Sequence, residues 1–289
     1  MTQVSVIIPN LHSPIINFTI DALEKQIFTQ GDYDITVVGA DKFNLVRESD
    51  RVHFDQSDIP LSPAQARNRG AAQTNGEIIV FIDADCIPDL KWLAILWSHF
   101  SDPSINVVGG GVKFEDENYW TVADNISMFY NFLAHNPPGP KQHLPSLNLA
   151  IRRTAFEEVG GFDERYPRPS GEDTDLTIRL RKAGYILNFE PEVIILHNPP
   201  RNTLFDLLRH SYYQGMYSTK VEPRYAQEEG LPGIFGTRFG LVLFSPLLAM
   251  GITFRIFSSY YILKKYWITV PAVYLSKLAW CIGASNHPE

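Results

Sequence analysis

Short, nearly continuous apolar runs mark the first part of the chain. "VSVIIPN" (4–10) and "YDITVVGAD" (33–41) predict buried strands, and a helical segment from about Pro14 to Phe28 separates them. "SPAQARNRGAAQTNG" (62–76) predicts a helix, with Ser62 as N-cap, Pro63 at the first helical position and Asn75-Gly76 as the stop. A third apolar run, "EIIVFIDAD" (77–85), follows as a strand. Strands alternating with helices imply an α/β fold with a mostly parallel sheet, whose ligands collect beyond the carboxyl ends of the strands. Asp41, Asp83 and Asp85 all fall at such ends.

Further along, "DLKWLAILWSHFSD" (89–102) reads as an amphipathic helix and "INVVGGGVKF" (105–114) as a strand with a glycine-rich break. A helix-like aromatic segment, "ENYWTVADNISMFYNFLAH", ends at "NPPGP". Residues 144–200 then read as strand, helix, glycine-rich loop, acidic loop, helix and strand. Beyond Pro200 the chain turns basic and aromatic. Residues 239–254, "FGLVLFSPLLAMGITF", carry no charge, and a second charge-poor stretch covers 266–276. The first is shorter than the about 20 residues a spanning helix needs, and Pro246 and Gly251 interrupt it. Lys264 and Lys265, flanked by aromatic residues in "SYYILKKYW", suit a phospholipid headgroup region. Attachment to a membrane surface is one expectation for this tail. A pair of buried or dimer-forming helices is the other.

Composition narrows the choices. The 289 residues are 45% hydrophobic and 20% charged, as expected of a globular chain. A formal charge of -7 argues against a general nucleic-acid binder. An anionic ligand must then be met by a local feature such as a metal. Cys86 and Cys281 have no C-x-x-C spacing, so neither a disulfide framework nor a zinc knuckle is expected, and a reducing compartment is the simpler reading. The N-terminal residues show no basic region ahead of an apolar one, so no secretory signal is expected.

Three groups of residues could carry chemistry. Asp83 and Asp85, one residue apart after a buried strand, are either an ordinary acidic turn or a pair that holds Mg²⁺ or Mn²⁺ together with substrate phosphates. Glu172, Asp173 and Asp175 in "SGEDTDL" are explained by the helix dipole alone, although a carboxylate there would also serve as a general base for a hydroxyl. His197, at the end of "EVIILHNPP", is either a hydrogen-bonded structural residue or a nitrogen ligand to a metal already held by carboxylates.

Taken in order, "VSVIIPN", "ARNRGAAQTNGEIIVFIDADC", "SLNLAIRRTAFEEVGGFDE", "GEDTDLTIRLRKAGY" and "LHNPP" followed by "RHSYYQG" resemble the family 2 glycosyltransferases of the GT-A fold, over roughly residues 4–215. The resemblance implies a Rossmann-like mixed sheet flanked by helices. It divides the chain into a catalytic domain, 1–215, and a C-terminal helical extension, 216–289. It also implies transfer of a sugar from a nucleotide diphosphate donor to an acceptor hydroxyl, with inversion and with Mn²⁺ or Mg²⁺. Asp85 would hold the metal with Asp83 and His197, and Asp173 would be the base with Glu172 beside it. Pro9, Asn10, Asp41, Arg67, Asn68, Asp83 and Asn148 would line the donor site, and Arg209 could meet the diphosphate. "VVGADKF" departs from the consecutive acidic residues that many relatives carry after the second strand, which leaves the nucleobase open. The Q-x-x-R-W signature of processive synthases is absent, so single addition is expected. The acceptor would be a sugar or lipid-linked saccharide at a cytoplasmic membrane face, in surface polysaccharide or glycolipid assembly. Three alternatives stay open: a haloacid dehalogenase-like phosphatase, with the motif misplaced in a third strand and Ile87 after it; a nucleotidyltransferase, without its glycine-rich loop; and a non-catalytic scaffold of the same fold.

Overall fold

A computed structural model describes residues 3–115, 117–228, 230–231 and 233–288. The chain forms two compact units, one comprising residues 1–113 and 132–198, the other 114–131 and 199–289. The expected boundary at 215/216 falls inside the second unit, at the end of a helix.

The first unit is built on a mixed sheet of nine strands: β1 (Val4–Leu11), β2 (Tyr33–Ala40), β3 (Val52–Gln56), β4 (Ile78–Ile82), β5 (Cys86–Pro88), β6 (Val107–Lys113), β7 (Gly139–Pro140), β8 (Asn148–Arg152) and β9 (Leu187–His197). Their order is β3-β2-β1-β4-β8-β6-β9-β5, with β7 also on β9. The first four are parallel neighbours, and β8 enters antiparallel between β4 and β6. The fully buried "IIVFI" of β4 lies near the middle of the sheet. It is the fourth strand in chain order, not the third, because the polar edge strand β3 precedes it.

Helices α1 (Ile16–Glu24), α2 (Pro63–Gln73), α3 (Trp92–His99), α5 (Arg153–Glu158) and α6 (Glu172–Lys182) flank this sheet. α2 starts where the sequence says it should: Ser62 Oγ accepts from the Gln65 N–H and Gln65 Oε1 accepts from the Ser62 N–H, closing a capping box behind Pro63. The glycine-rich break in β6 is a register shift against β9 between Gly110 and Gly111. A Cβ on Gly110 would stand 2.1 Å from Asn148 Nδ2 and 2.2 Å from the Val193 carbonyl, so only glycine fits.

The second unit is helical. It contains α4 (Tyr119–Phe129), α7 (Leu204–Met216), α8 (Arg238–Ser259) and α9 (Val270–Ala284), with 3-10 segments at 233–236 and 261–269. α9 packs against α4, α7 and α8. Its inner side carries a polar seam: Ser276 Oγ bonds Ser127 and Ser211, and Lys277 Nζ donates to the Ser127 carbonyl at 2.6 Å. Nearby, the buried Asp124 is met by Arg201 at 3.1 Å and His210 at 2.7 Å. α8 and the segment 261–284 are each long and apolar enough to cross a membrane by length and composition. α8 has two unlike faces. Phe239, Leu243, Leu247, Met250 and Phe254 are exposed, whereas Gly240, Ser245, Ala249 and Thr253 are buried alongside Leu241 and Ile256.

Candidate functional site

In the order β3-β2-β1-β4 the chain reverses direction across the sheet between β1 and β4, and the carboxyl ends of those two strands frame the crevice where such folds bind ligands. β1 ends at Asn10–Leu11 and β4 releases the chain at Asp83. Ser13 Oγ donates to the Ala84 carbonyl at 3.0 Å, which ties the two ends together. Asp83 and Asp85 lie beyond the strand, in a turn closed by the Cys86 N–H on the Asp83 carbonyl.

Arg67 links this turn to the acidic cluster. It projects from α2, is 2% exposed, and donates from Nη2 to Asp83 Oδ1 at 2.7 Å and from Nη1 to Glu172 Oε1 at 2.9 Å. Phe162 lies under the guanidinium, with its ring centroid 5.3 Å away. Burial alone would favour discharging Arg67, but the two carboxylates outweigh it and raise its pKa above the ordinary arginine value. Glu172 is 3% exposed, and burial pushes its carboxyl up to about 7; the Asp173 charge pushes the same way and Arg67 pulls back. Its second oxygen, Oε2, has no hydrogen-bond partner among the described residues.

Asp173 sits one residue on, in the first turn of α6. Gly171, at φ +86°, makes the left-handed step that brings the chain into that turn. The Ser146 N–H donates to Asp173 Oδ2 at 3.2 Å and the Thr174 N–H to Oδ1 at 2.7 Å, so the loop before β8 holds the carboxylate. Asp175 is different. It is fully buried and paired with Arg179 four residues on at 2.7 Å, which is the structural role its helix position suggests.

A second cluster lies two residues beyond Asp83. β5 pairs antiparallel with the end of β9, and Cys86 stands directly opposite His197. His197 Nε2 is 3.7 Å from Asp85 Oδ1, Cys86 Sγ is 3.9 Å from the same oxygen, and one ligand atom from each of the three lies within 4.8 Å of the others. A carboxylate and an imidazole at this separation suit a divalent cation. The sequence pointed to Asp85 and His197. It gave no role to Cys86, because three-residue β5 carries no pattern that reveals what it pairs with.

The remaining expected residues each make hydrogen bonds or contacts of their own. Asn148 accepts from Trp92 Nε1 and donates to the Gly111 and Val193 carbonyls, deep in the sheet. Asn68 bonds Phe162 and Glu164, fastening that loop to α2. Asp41 accepts from the N–H groups of Phe43, Leu45 and Val46 and shapes the turn after β2. Asn10 joins the Ala40 carbonyl to the Ser13 N–H, and Pro9 lies in the β1·β2 register opposite Val38. Arg209 belongs to the second unit, where it stacks over Phe205 on α7.

A model of glycosyl transferase family 2 matches residues 5–160. Glycosyltransferase AglE of Haloferax volcanii is 30% identical over 227 residues, which is 75% of this chain and 73% of that protein. A pre-mycofactocin glycosyltransferase of Mycobacterium tuberculosis is 34% identical over 160 residues, covering 53% of this chain and 33% of its own length. Among solved structures, the mannosyltransferase PcManGT from Pyrobaculum calidifontis, in complex with GDP-Man and Mn²⁺, superposes with a TM-score of 0.57 at 18% identity over 94% of this chain and 85% of its own. That likeness shows a shared GT-A fold.

Proposed function

The chain belongs to glycosyl transferase family 2, whose members move a sugar from a nucleotide-sugar donor to an acceptor, and from that premise we propose a single inverting displacement at the Asp83–Asp173 site. The observation that carries the reading is Arg67. One buried guanidinium holds Asp83, on the turn expected to face the donor diphosphate, and Glu172, beside the expected base. That shared partner supports reading the two acidic motifs as one site.

Asp85 and His197 would hold Mn²⁺ or Mg²⁺, whereas Asp83, expected as a further ligand, is engaged by Arg67. When bound, such a cation neutralises the charge that builds on a departing nucleoside diphosphate. Asp173 takes the proton of the acceptor hydroxyl, and the Ser146 N–H together with the Thr174 N–H keeps its carboxylate aimed. Glu172 packs behind it and fixes the first turn of α6 through Arg67. Attack from the face opposite the leaving group needs no covalent sugar intermediate. GDP-Man and Mn²⁺ in the complex that shares the fold support a cation and a nucleotide diphosphate sugar. The proposal extends to single addition onto a sugar or lipid-linked saccharide in surface polysaccharide or glycolipid assembly. It places the protein on the cytoplasmic face of a membrane, with α8 and the exposed Tyr261, Lys264, Lys265 and Trp267 against lipid.

A panel of nucleotide sugars with Mn²⁺ tests the reading by thermal shift and product formation. A true donor at 100 times its dissociation constant adds about 2.7 kcal/mol of stability. Asp173→Asn is expected to keep that shift and to lose about 10²–10⁴-fold in turnover. Unchanged turnover in Asp173→Asn removes it as the base. A metal-independent shift in wild type removes the cation.

A further inference from the structure

Cys86 is the first residue of β5, fully buried, and neither it nor Cys281 is in a disulfide. Residues directly opposite in an antiparallel pair present their side chains on the same face, so the pairing of Cys86 with His197 puts thiol and imidazole side by side. Asp85 is in the preceding turn, outside the alternation of the strand, and its carboxylate oxygen approaches both: 3.9 Å from the sulfur and 3.7 Å from Nε2. Around a tetrahedral ion with bonds of about 2.0–2.1 Å to oxygen or nitrogen and about 2.3 Å to sulfur, neighbouring donor atoms stand roughly 3.3–3.6 Å apart. Two of the three separations need close by only a few tenths of an ångström, and the third, between sulfur and imidazole, lies within 4.8 Å and closes by up to about 1.2 Å when an ion binds.

We infer that Cys86 is a third, sulfur donor at the cation position of Asp85 and His197, and that it raises the affinity of this position for thiophilic divalent ions, Zn²⁺ foremost, relative to Mn²⁺ or Mg²⁺. Thiolate sulfur favours Zn²⁺, whereas carboxylate and water suit Mg²⁺ and Mn²⁺. As the metal–sulfur bond forms, the S–H bond breaks and the proton leaves to solvent. Three protein donors leave a tetrahedral ion one further position, for water or an oxygen of the donor phosphate. The inference rests on Asp85 and His197 being cation ligands, as proposed above. It adds that the chemistry of the site depends on which metal fills it.

Titrating the full chain with Cd²⁺ while following the ultraviolet charge-transfer absorption of a cadmium thiolate tests it, alongside Mn²⁺ binding measured by electron paramagnetic resonance. Wild type and Cys281→Ser are expected to show the band and Cys86→Ser to lack it. In Cys86→Ser the affinity for Zn²⁺ should fall by at least the about 10–100-fold that loss of a mere supporting group costs a metal site, with Mn²⁺ binding near wild type. Mn²⁺ binding to wild type without a cadmium band overturns the role of Cys86 and leaves Asp85 and His197 as ligands. No divalent ion binding at all overturns both. Should Cys86→Ser fail to fold, X-ray absorption on Zn²⁺-loaded wild type and Cys281→Ser decides: a sulfur neighbour at about 2.3 Å supports the inference, and a shell of nitrogen and oxygen alone overturns it.

Discussion

Arg67 serves two carboxylates at once, and the consequence is most visible at Glu172, which shares its partner and keeps one oxygen without a hydrogen bond among the described residues. Its folded pKa of about 7 lies above the ordinary 4.5, so the folded state holds a proton that the unfolded chain releases between those values. Stability from this group is therefore fully present below about pH 4.5 and is lost as pH rises toward 7, by about 3 kcal/mol at most. Glu172→Gln should remove that slope. In urea titrations the variant should gain on wild type as pH rises from 4.5 to 7, and a constant difference across that window would show that Glu172 stays ionised throughout. Asp83, Asp85, Asp173 and His197 were legible as residue types at strand ends and helix starts. The bridge made by Arg67 was not, since it spans 105 positions to Glu172 and local pattern carries no such information. Asn148 shows the opposite case: on a strand leading to the site, its amide is committed to Trp92 and two carbonyls of the sheet.

At the scale of elements, long buried strands and capped helices were readable and short pieces were not. Ser62, Pro63 and Gln65 announce α2 because the start of a helix is a local hydrogen-bonding problem. β3 has the polar, half-exposed pattern of an edge, and β5 has three residues, one of them Pro88; both are strands only because of what they pair with. The same holds for the break in β6. Its glycines were evident, but their reason lies in Asn148 and the Val193 carbonyl crowding the position of a side chain. Gly110→Ala should cost about 1–3 kcal/mol, the usual penalty for forcing extra volume into a packed interior. Chemical denaturation checks this, and a loss under about 0.5 kcal/mol, the ordinary scatter of surface substitutions, would mean that the bulge relaxes freely.

For the whole molecule, membership of family 2 sets aside the phosphatase alternative that the D-x-D motif alone had left open. The division into units was only half legible. A change of composition after Pro200 was plain, and the longer segment of the second unit does begin at Pro199. That residues 114–131 join it could not be read, because α4 is claimed by partners such as Ser276 and Lys277 about 150 positions away. Membrane attachment is a prediction at this scale. Phe254 is 74% exposed and Leu247 61%, and each such side chain is worth about 1.5–3 kcal/mol when buried. Leu247→Glu with Phe254→Glu should weaken flotation with anionic vesicles by at least about tenfold. Unchanged flotation would move the contact elsewhere. The arrangement of α8 has a practical consequence. A helix that turns small and hydroxylated residues inward and large oily ones outward is inside-out for water, and if α8 is the membrane face proposed above, copies of the protein are expected to shield that face with one another in plain buffer. On that reading, a particle mass measured there would report how many copies it takes to hide α8, and the same measurement in a lipid nanodisc would report the stoichiometry of the enzyme.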